Sequence, residues 1–217
     1  MPQEDRRTRR TRRLLRDALV ALVLERGYAG ITVEDITERA DLGRATFYSH
    51  YTDKDALLSQ IVADLQAELD SRLEPLLRAP SVGFSGKPIL EMFRHAAEER
   101  DAYRVILRGE GDGRALREFM EARSAAAAMV FGHRARAMEV TPRIDIDVLA
   151  RAWVGEQVAV LRWWLEAEPQ PLSAEAVTHM LLELSLRGRY WANGFDGEPH
   201  GVISSGTPAA PFERLTP

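Results

Sequence analysis

The chain has 217 residues, 45% of them apolar, and a formal net charge of −4, so it is long enough for one domain or two small ones and apolar enough to bury a core. It contains no cysteine, which excludes disulfides, thiol nucleophiles and cysteine metal sites and suits a reducing compartment, taken here as the cytoplasm. The net acidity argues against a basic coat, yet seven arginines and no acid lie between Arg6 and Arg16, the mark of either a solvated tail or a phosphate-contacting arm.

Helical periodicity then runs along the chain. Leu15, Ala18, Leu19, Leu22 and Val23 make an i, i+3, i+4, i+7 stripe, predicting a first helix over about 8–26 that Gly27 stops. Thr32 reads as an N-cap with Asp35 in the reciprocal capping-box position. The second helix, about 33–40, should bury Val33, Ile36 and Ala40, and Asp41-Leu42-Gly43 makes a three-residue turn. A third helix is expected over about 44–51, and Asp53 should cap a long fourth one starting at Lys54 and reaching Leu77. Residues 81–88 are a Gly/Ser/Pro connector, and further helices are expected over about 89–99, 101–108, 113–139, 145–168 and 174–191, with Ser173 capping the last. From Gly194 the composition turns to Gly, Pro and Ser and predicts a disordered tail. The apolar stretches Ala18–Leu24 and Ala125–Phe131 are too short to span a membrane, and Glu25-Arg26-Gly27 offers no signal-peptide cleavage site.

Two short helices joined by a three-residue turn form a helix-turn-helix candidate. Small Ala40 permits close approach, Asp41 tolerates a left-handed backbone, and Phe47 and Tyr51 face inward. The outer face carries Arg44, Thr46, Tyr48, Ser49 and His50, groups that hydrogen-bond phosphates and base edges. The alternatives are a structural histidine at His50 and a core aromatic at Tyr48.

The stretch "TVEDITERADLGRATFYSHYTDKDALL", residues 32–58, resembles the DNA-binding core of the TetR family of transcriptional regulators. It shares Ala40, Thr46, Phe47, Tyr48, His50, Tyr51, Lys54, Asp55 and Leu57 with the family pattern, and departs from it at Asp41 and Gly43. The resemblance covers about 15–58. It implies that Thr32 binds phosphate through its backbone and hydroxyl, and that Arg44 reads a guanine. Thr46, Tyr48 and His50 would contact phosphates and thymine methyls, Lys54 would bind a further phosphate, and Gly43 and Ala45 complete the face toward DNA. Arg9 and Arg10 would belong to an arm tracking phosphate or entering the minor groove.

The resemblance also implies an effector pocket in the carboxy-terminal half and a homodimer built on the last two helices. Independently, Trp153, Gln157, Val160 and Trp164 form one stripe, and Val154, Val158, Leu161 and Leu165 a second. So wide an apolar arc packs on two sides. Val177, Met180, Leu181, Leu182 and Leu184 repeat the pattern. Candidate pocket residues are Phe93, Tyr103, Phe119, Met120, Arg123, Trp153, Gln157 and Trp164, and Gln157 stands out because a buried amide needs a partner.

For an enzyme the sequence offers little. His95 with Glu98 or Glu99 has a spacing metals can use, but no second histidine lies near and the group reads as solvated charge. Glu156 could act as a general acid or base, but the sequence singles out no catalytic residue to work with it. No phosphate loop, nucleophile elbow or paired metal motif is present. No catalytic residue, metal or cofactor is therefore expected. The reading is an all-α protein: a helix-turn-helix DNA-binding domain over 8–54, a helical effector-binding and dimerisation domain over 55–193, and a tail over 194–217. Its expected partners are double-stranded DNA with a palindromic operator, a second copy of the chain and a small-molecule effector, with no membrane. A helical enzyme or ligand-binding protein with a degenerate DNA-binding domain is the alternative.

Overall fold

The computed structural model describes residues 6–78 and 86–192, so the expected tail from Gly194 and residues 81–85 of the connector lie outside the described residues. Among the described residues every regular element is a helix: α1 (Arg6–Arg26), α2 (Val33–Arg39), α3 (Arg44–Tyr48), α4 (Lys54–Arg78), α5 (Lys87–Glu98), α6 (Arg100–Leu107), α7 (Arg114–Ala137), α8 (Ile146–Glu166) and α9 (Ala174–Ala192). The class agrees with the all-α expectation. None of these helices is long and apolar enough to cross a membrane.

Local chemistry sets the ends. Gly27, at φ +77°, closes α1 in the left-handed region that favours glycine. Asp53 accepts the Ala56 N–H at 2.7 Å and starts α4. Asp145 accepts the Asp147 and Val148 N–H groups at 2.9 and 3.1 Å, and Ser173 accepts that of Ala176 at 3.2 Å. Three expectations need correction. The third helix ends at Tyr48 rather than Tyr51, because the His50 N–H bonds back only three residues, to Phe47 O at 2.9 Å, and tightens the turn. α9 is interrupted at Gly188, whose φ of 81° and ψ of 170° are not helical. On α2, Val33 is only half-buried, and Thr37 takes a place in the core instead.

The chain divides into two compact units. The first holds residues up to Arg72 together with His95–Phe119. At seven and five residues, α2 and α3 are far too short to persist alone. They stand because Ile36 and Phe47 are fully buried, along with Leu15 and Leu19 of α1, Leu57 and Ile61 of α4 and Ile106 of α6. Each such side chain contributes about 1.5–3 kcal/mol on burial.

The second unit holds the described residues of 73–94 and of 120–192. Its core draws Phe93 from α5, Ala127 from α7, Val154, Leu161, Trp164 and Leu165 from α8, and Val177 and Leu181 from α9. The rings of Phe93 and Trp164 meet edge-on at 5.4 Å, and the Trp164 Nε1–H donates to Leu172 O at 2.7 Å.

Candidate nucleic-acid interface

The turn between α2 and α3 is a Schellman arrangement. Asp41 takes φ +53°, its N–H donates to Glu38 O at 3.1 Å, and the Leu42 N–H reaches back to Thr37 O at 2.9 Å. An aspartate serves where glycine is common because its short polar side chain tolerates this backbone. Gly43 caps α3 with no side-chain bond. Phe47 then anchors α3 from below, edge-on to Tyr48 at 5.5 Å and tilted against Tyr51 at 5.9 Å.

With that side fixed, the opposite face is open. Arg44 and Ala45 are exposed, Tyr48 is 53% exposed, and Thr46 and His50 are half-buried at the edges. Tyr48 is therefore no core aromatic. The Ser49 hydroxyl donates to Thr46 O at 2.7 Å and stays with its own helix. Arg44 Nη1 lies 3.8 Å from Glu34 Oε1 of α2, both side chains well solvated. Glu34 was not singled out by the sequence; its helical position ten residues earlier gave no signal of the pairing.

Thr32 is exposed and forms the full capping box with Asp35. Its N–H and its hydroxyl both donate to Asp35 Oδ2, at 2.7 Å each. The hydrogen bonds from Thr32, with Arg26 at 2.7 Å, hold the Asp35 carboxyl well below the usual carboxylate range. The donors expected to grip phosphate are thus engaged within the chain itself.

Lys54 also differs from expectation. Its ammonium donates to Tyr28 O at 3.0 Å, Ala29 O at 3.4 Å and Ile31 O at 2.8 Å, and sits 4.5 Å from the centre of the Tyr28 ring. An ammonium has three protons, and three carbonyls of the connector between α1 and α2 take them. Beneath it, burial and the Asp55 carboxylate push the Tyr28 hydroxyl upward, and that hydroxyl donates to Asp55.

The arginine run is helical from Arg6, with Arg9 and Arg10 exposed. Residues 6–16 are the opening turns of α1 rather than an extended arm. Arg16 pairs with Glu99, and Arg9, Arg12 and Arg13 share a cleft of about 370 Å³ with Gln60 and Asp64 of α4.

The pocket candidates fall in both units. In the first, Tyr103 and Phe119 are fully buried and meet edge-on at 5.7 Å. In the second, Phe93 and Trp164 pack on each other as described, while Trp153 is half-buried against Phe131 at 5.5 Å. Arg123 and Gln157 are buried and Met120 half-buried. The Gln157 amide donates to Trp153 O one turn back, at 3.4 Å. His95 is not the solvated charge that the sequence suggested, nor does it pair with Glu98 or Glu99. It is fully buried, its Nδ1 lies 2.9 Å from the Tyr103 hydroxyl, and its Nε2 lies 3.6 Å from Glu68. Glu98 goes to Arg72 instead. Among the described residues no cluster of three or more His, Asp or Glu is placed to hold a metal ion.

Residues 15–61 match the family model described as bacterial regulatory proteins, tetR family. Over this segment the chain is similar to the TetR family. It is 43% identical over 72 residues to an uncharacterized HTH-type transcriptional regulator, YxbF, of Bacillus subtilis, a match covering 33% of this chain and 19% of that protein. The chain thus spans about a fifth of that relative's length. The whole described fold resembles a putative TetR-family regulator from Syntrophomonas wolfei (TM-score 0.71, 17% identity, 88% of this chain and 100% of the other). It also resembles the regulator FadR of Bacillus subtilis, solved with stearoyl-CoA (TM-score 0.65, 19% identity, 82% and 98%).

Proposed function

We propose that this chain is a TetR-family regulator, a cytoplasmic, ligand-responsive repressor that binds a palindromic operator as a homodimer. Residues 8–54 serve as the DNA-binding domain and 55–193 as the effector-binding and dimerisation domain. The observation that carries the reading is the outer face of α3, where Arg44, Ala45 and Tyr48 stand open to solvent over a fully buried Phe47. Arg44 reads a guanine in the major groove, and Thr46, Tyr48 and His50 contact backbone or thymine methyls. Arg9 and Arg10 add phosphate contacts from α1.

Dimerisation uses α8 and α9, where Trp163, Met180 and Leu186 are each more than half exposed. Two-fold pairing there sets two copies of α3 about 34–36 Å apart, or slightly more, across the palindrome. The effector is a small molecule held in the carboxy-terminal half near Met120, Arg123 and Gln157. FadR, which shares the fold, was solved with stearoyl-CoA, and this supports a small-molecule ligand for this chain. The ligand favours a dimer whose recognition helices are wrongly spaced, so operator affinity falls.

The test is selection of bound duplexes from a random DNA library by the purified protein at near-physiological salt. Enrichment of a palindrome with half-sites about one helical turn apart supports the reading. Recovery of no motif, with binding that vanishes as salt rises, leaves only nonspecific phosphate attraction and overturns it.

A further inference from the structure

The turn between α6 and α7 reads Gly109-Glu110-Gly111-Asp112-Gly113, and its three glycines have φ of +70°, +66° and +75°. Nothing in the DNA-reading face requires this turn, yet it grips the connector that leads into α2. Glu110 Oε2 accepts the Tyr28 N–H at 3.2 Å. A Cβ on Gly111 would lie 3.0 and 3.1 Å from two carbons of the Tyr28 ring, tighter than most real Cβ contacts, so the ring would have to give by a few tenths of an ångström. The ring cannot readily retreat. It is 4% exposed, its hydroxyl is tied to Asp55, and the Lys54 ammonium sits over its face.

The turn is itself braced. The Gly113 N–H donates to Gly111 O at 2.6 Å, the Arg114 N–H to Asp112 Oδ1 at 3.0 Å, and Arg117 to Asp112 O at 2.7 Å. Tyr28 is thus held from three directions: by α4 through Lys54 and Asp55, by the α6–α7 turn at its backbone, and by Gly111 against its ring. Only three residues separate it from Thr32, the cap of α2. A displaced Tyr28 therefore shifts the start of α2, and α3 with it through the rigid Schellman turn.

We propose that Glu110 and Gly111 are positioning residues for DNA binding, acting through Tyr28 on the connector that enters α2. The inference rests on the DNA-binding reading above. It makes operator affinity depend on a turn outside the DNA-reading face, acting through a chain of packed contacts.

The test uses the full chain and the duplex recovered by the selection, with binding followed by fluorescence anisotropy over a salt series. Arg44→Ala is the control, and far-UV circular dichroism melting reports on folding. Glu110→Ala and Gly111→Ala are expected to bind about tenfold more weakly with the salt slope of the parent chain. Glu110→Gln is expected to bind like the parent, because its amide oxygen accepts the same N–H.

Parent-like affinity in Glu110→Ala and Gly111→Ala, beside a weakened Arg44→Ala, overturns the proposal alone, even if both variants melt earlier. Equal weakening in Glu110→Gln and Glu110→Ala also overturns it, since charge rather than position would then matter. Should Gly111→Ala fail to fold, the Glu110 pair decides. Parent-like affinity in Arg44→Ala overturns the DNA-reading assignment on which the proposal stands.

Discussion

Asp35 Oδ2 accepts both the N–H and the hydroxyl of Thr32, while the Asp35 N–H donates back to Thr32 Oγ1 at 3.2 Å. The cap of α2 is closed by the chain's own carboxylate, and Arg26 holds that carboxylate in place. Thr32→Ala is expected to cost about 1 kcal/mol of stability through the lost cap. The pH dependence has a definite sign. Asp35 titrates lower in the folded chain than its ordinary 3.8, so its contribution is present above that value and lost as pH falls below it. Urea unfolding between pH 3 and 7 should show this loss in the parent chain and a flatter profile in Asp35→Asn. An unchanged profile would remove the box from the acid response.

Arg44 is exposed at the start of α3, with Glu34 3.8 Å away as a solvated neighbour. A pair this open contributes little to stability, so the arginine is available to a base. Arg44→Ala is expected to lose about 1–3 kcal/mol of operator binding and to relax preference at one base position. Competition binding with duplexes substituted at each position measures both. Equal loss on every sequence would assign Arg44 to phosphate instead.

Lys54 illustrates how a motif position and its geometry can differ. The family resemblance points the side chain at phosphate, but its three protons go to the carbonyls of Tyr28, Ala29 and Ile31. Lys54→Ala is therefore expected to lower the melting temperature and weaken operator binding while leaving the salt slope unchanged. A slope reduced by about one unit would restore the phosphate contact.

The helices were readable because each carries its own periodic apolar stripe, and the caps at Thr32, Asp53 and Ser173 are set by chemistry within three residues. The turn at Asp41 was readable for the same reason. What escaped the sequence joins distant segments: Arg16 with Glu99, 83 residues apart, and Tyr28 with Glu110, 82 apart. His95 read as solvated charge beside Glu98 and Glu99, whereas packing buries it against Tyr103 and Glu68. In the candidate site the outward set on α3 was visible as a pattern. The partner of Thr32 was legible too, as a capping box with Asp35 three residues on, whereas the commitment of Lys54 to three carbonyls was not, because it depends on where the connector folds.

His95 yields a second pH prediction. Burial holds its imidazole below its ordinary 6.5, with the nearby Glu68 carboxylate opposing this more weakly. The unfolded chain therefore binds a proton near pH 6 that the folded chain refuses. Stability is full above 6.5 and falls as pH drops beneath it, with a slope of up to about 1.4 kcal/mol per pH unit. Denaturant melts from pH 8 to 5 should show the fall in the parent chain and a smaller one in His95→Leu. Equal slopes in the two would mean that His95 takes up its proton as readily in the folded chain as in the unfolded one.

Trp163 is 52% exposed on α8, and Met180 and Leu186 are each 56% exposed on α9. Their neighbours Trp164, Leu165 and Leu181 are buried in the same unit, so both helices have spent one face on their own core and still present a second apolar one. A lone chain gains nothing by exposing a tryptophan this way, whereas a two-fold partner buries it at the centre of the contact, where aromatic anchors matter most. Trp163→Ala is expected to weaken self-association by about 30-fold or more, read by sedimentation velocity over a concentration series. Operator binding should weaken in parallel, because one α3 alone reaches only half a palindrome. A variant that remains dimeric at the same concentrations, with operator affinity intact, would move the interface off this face of α8.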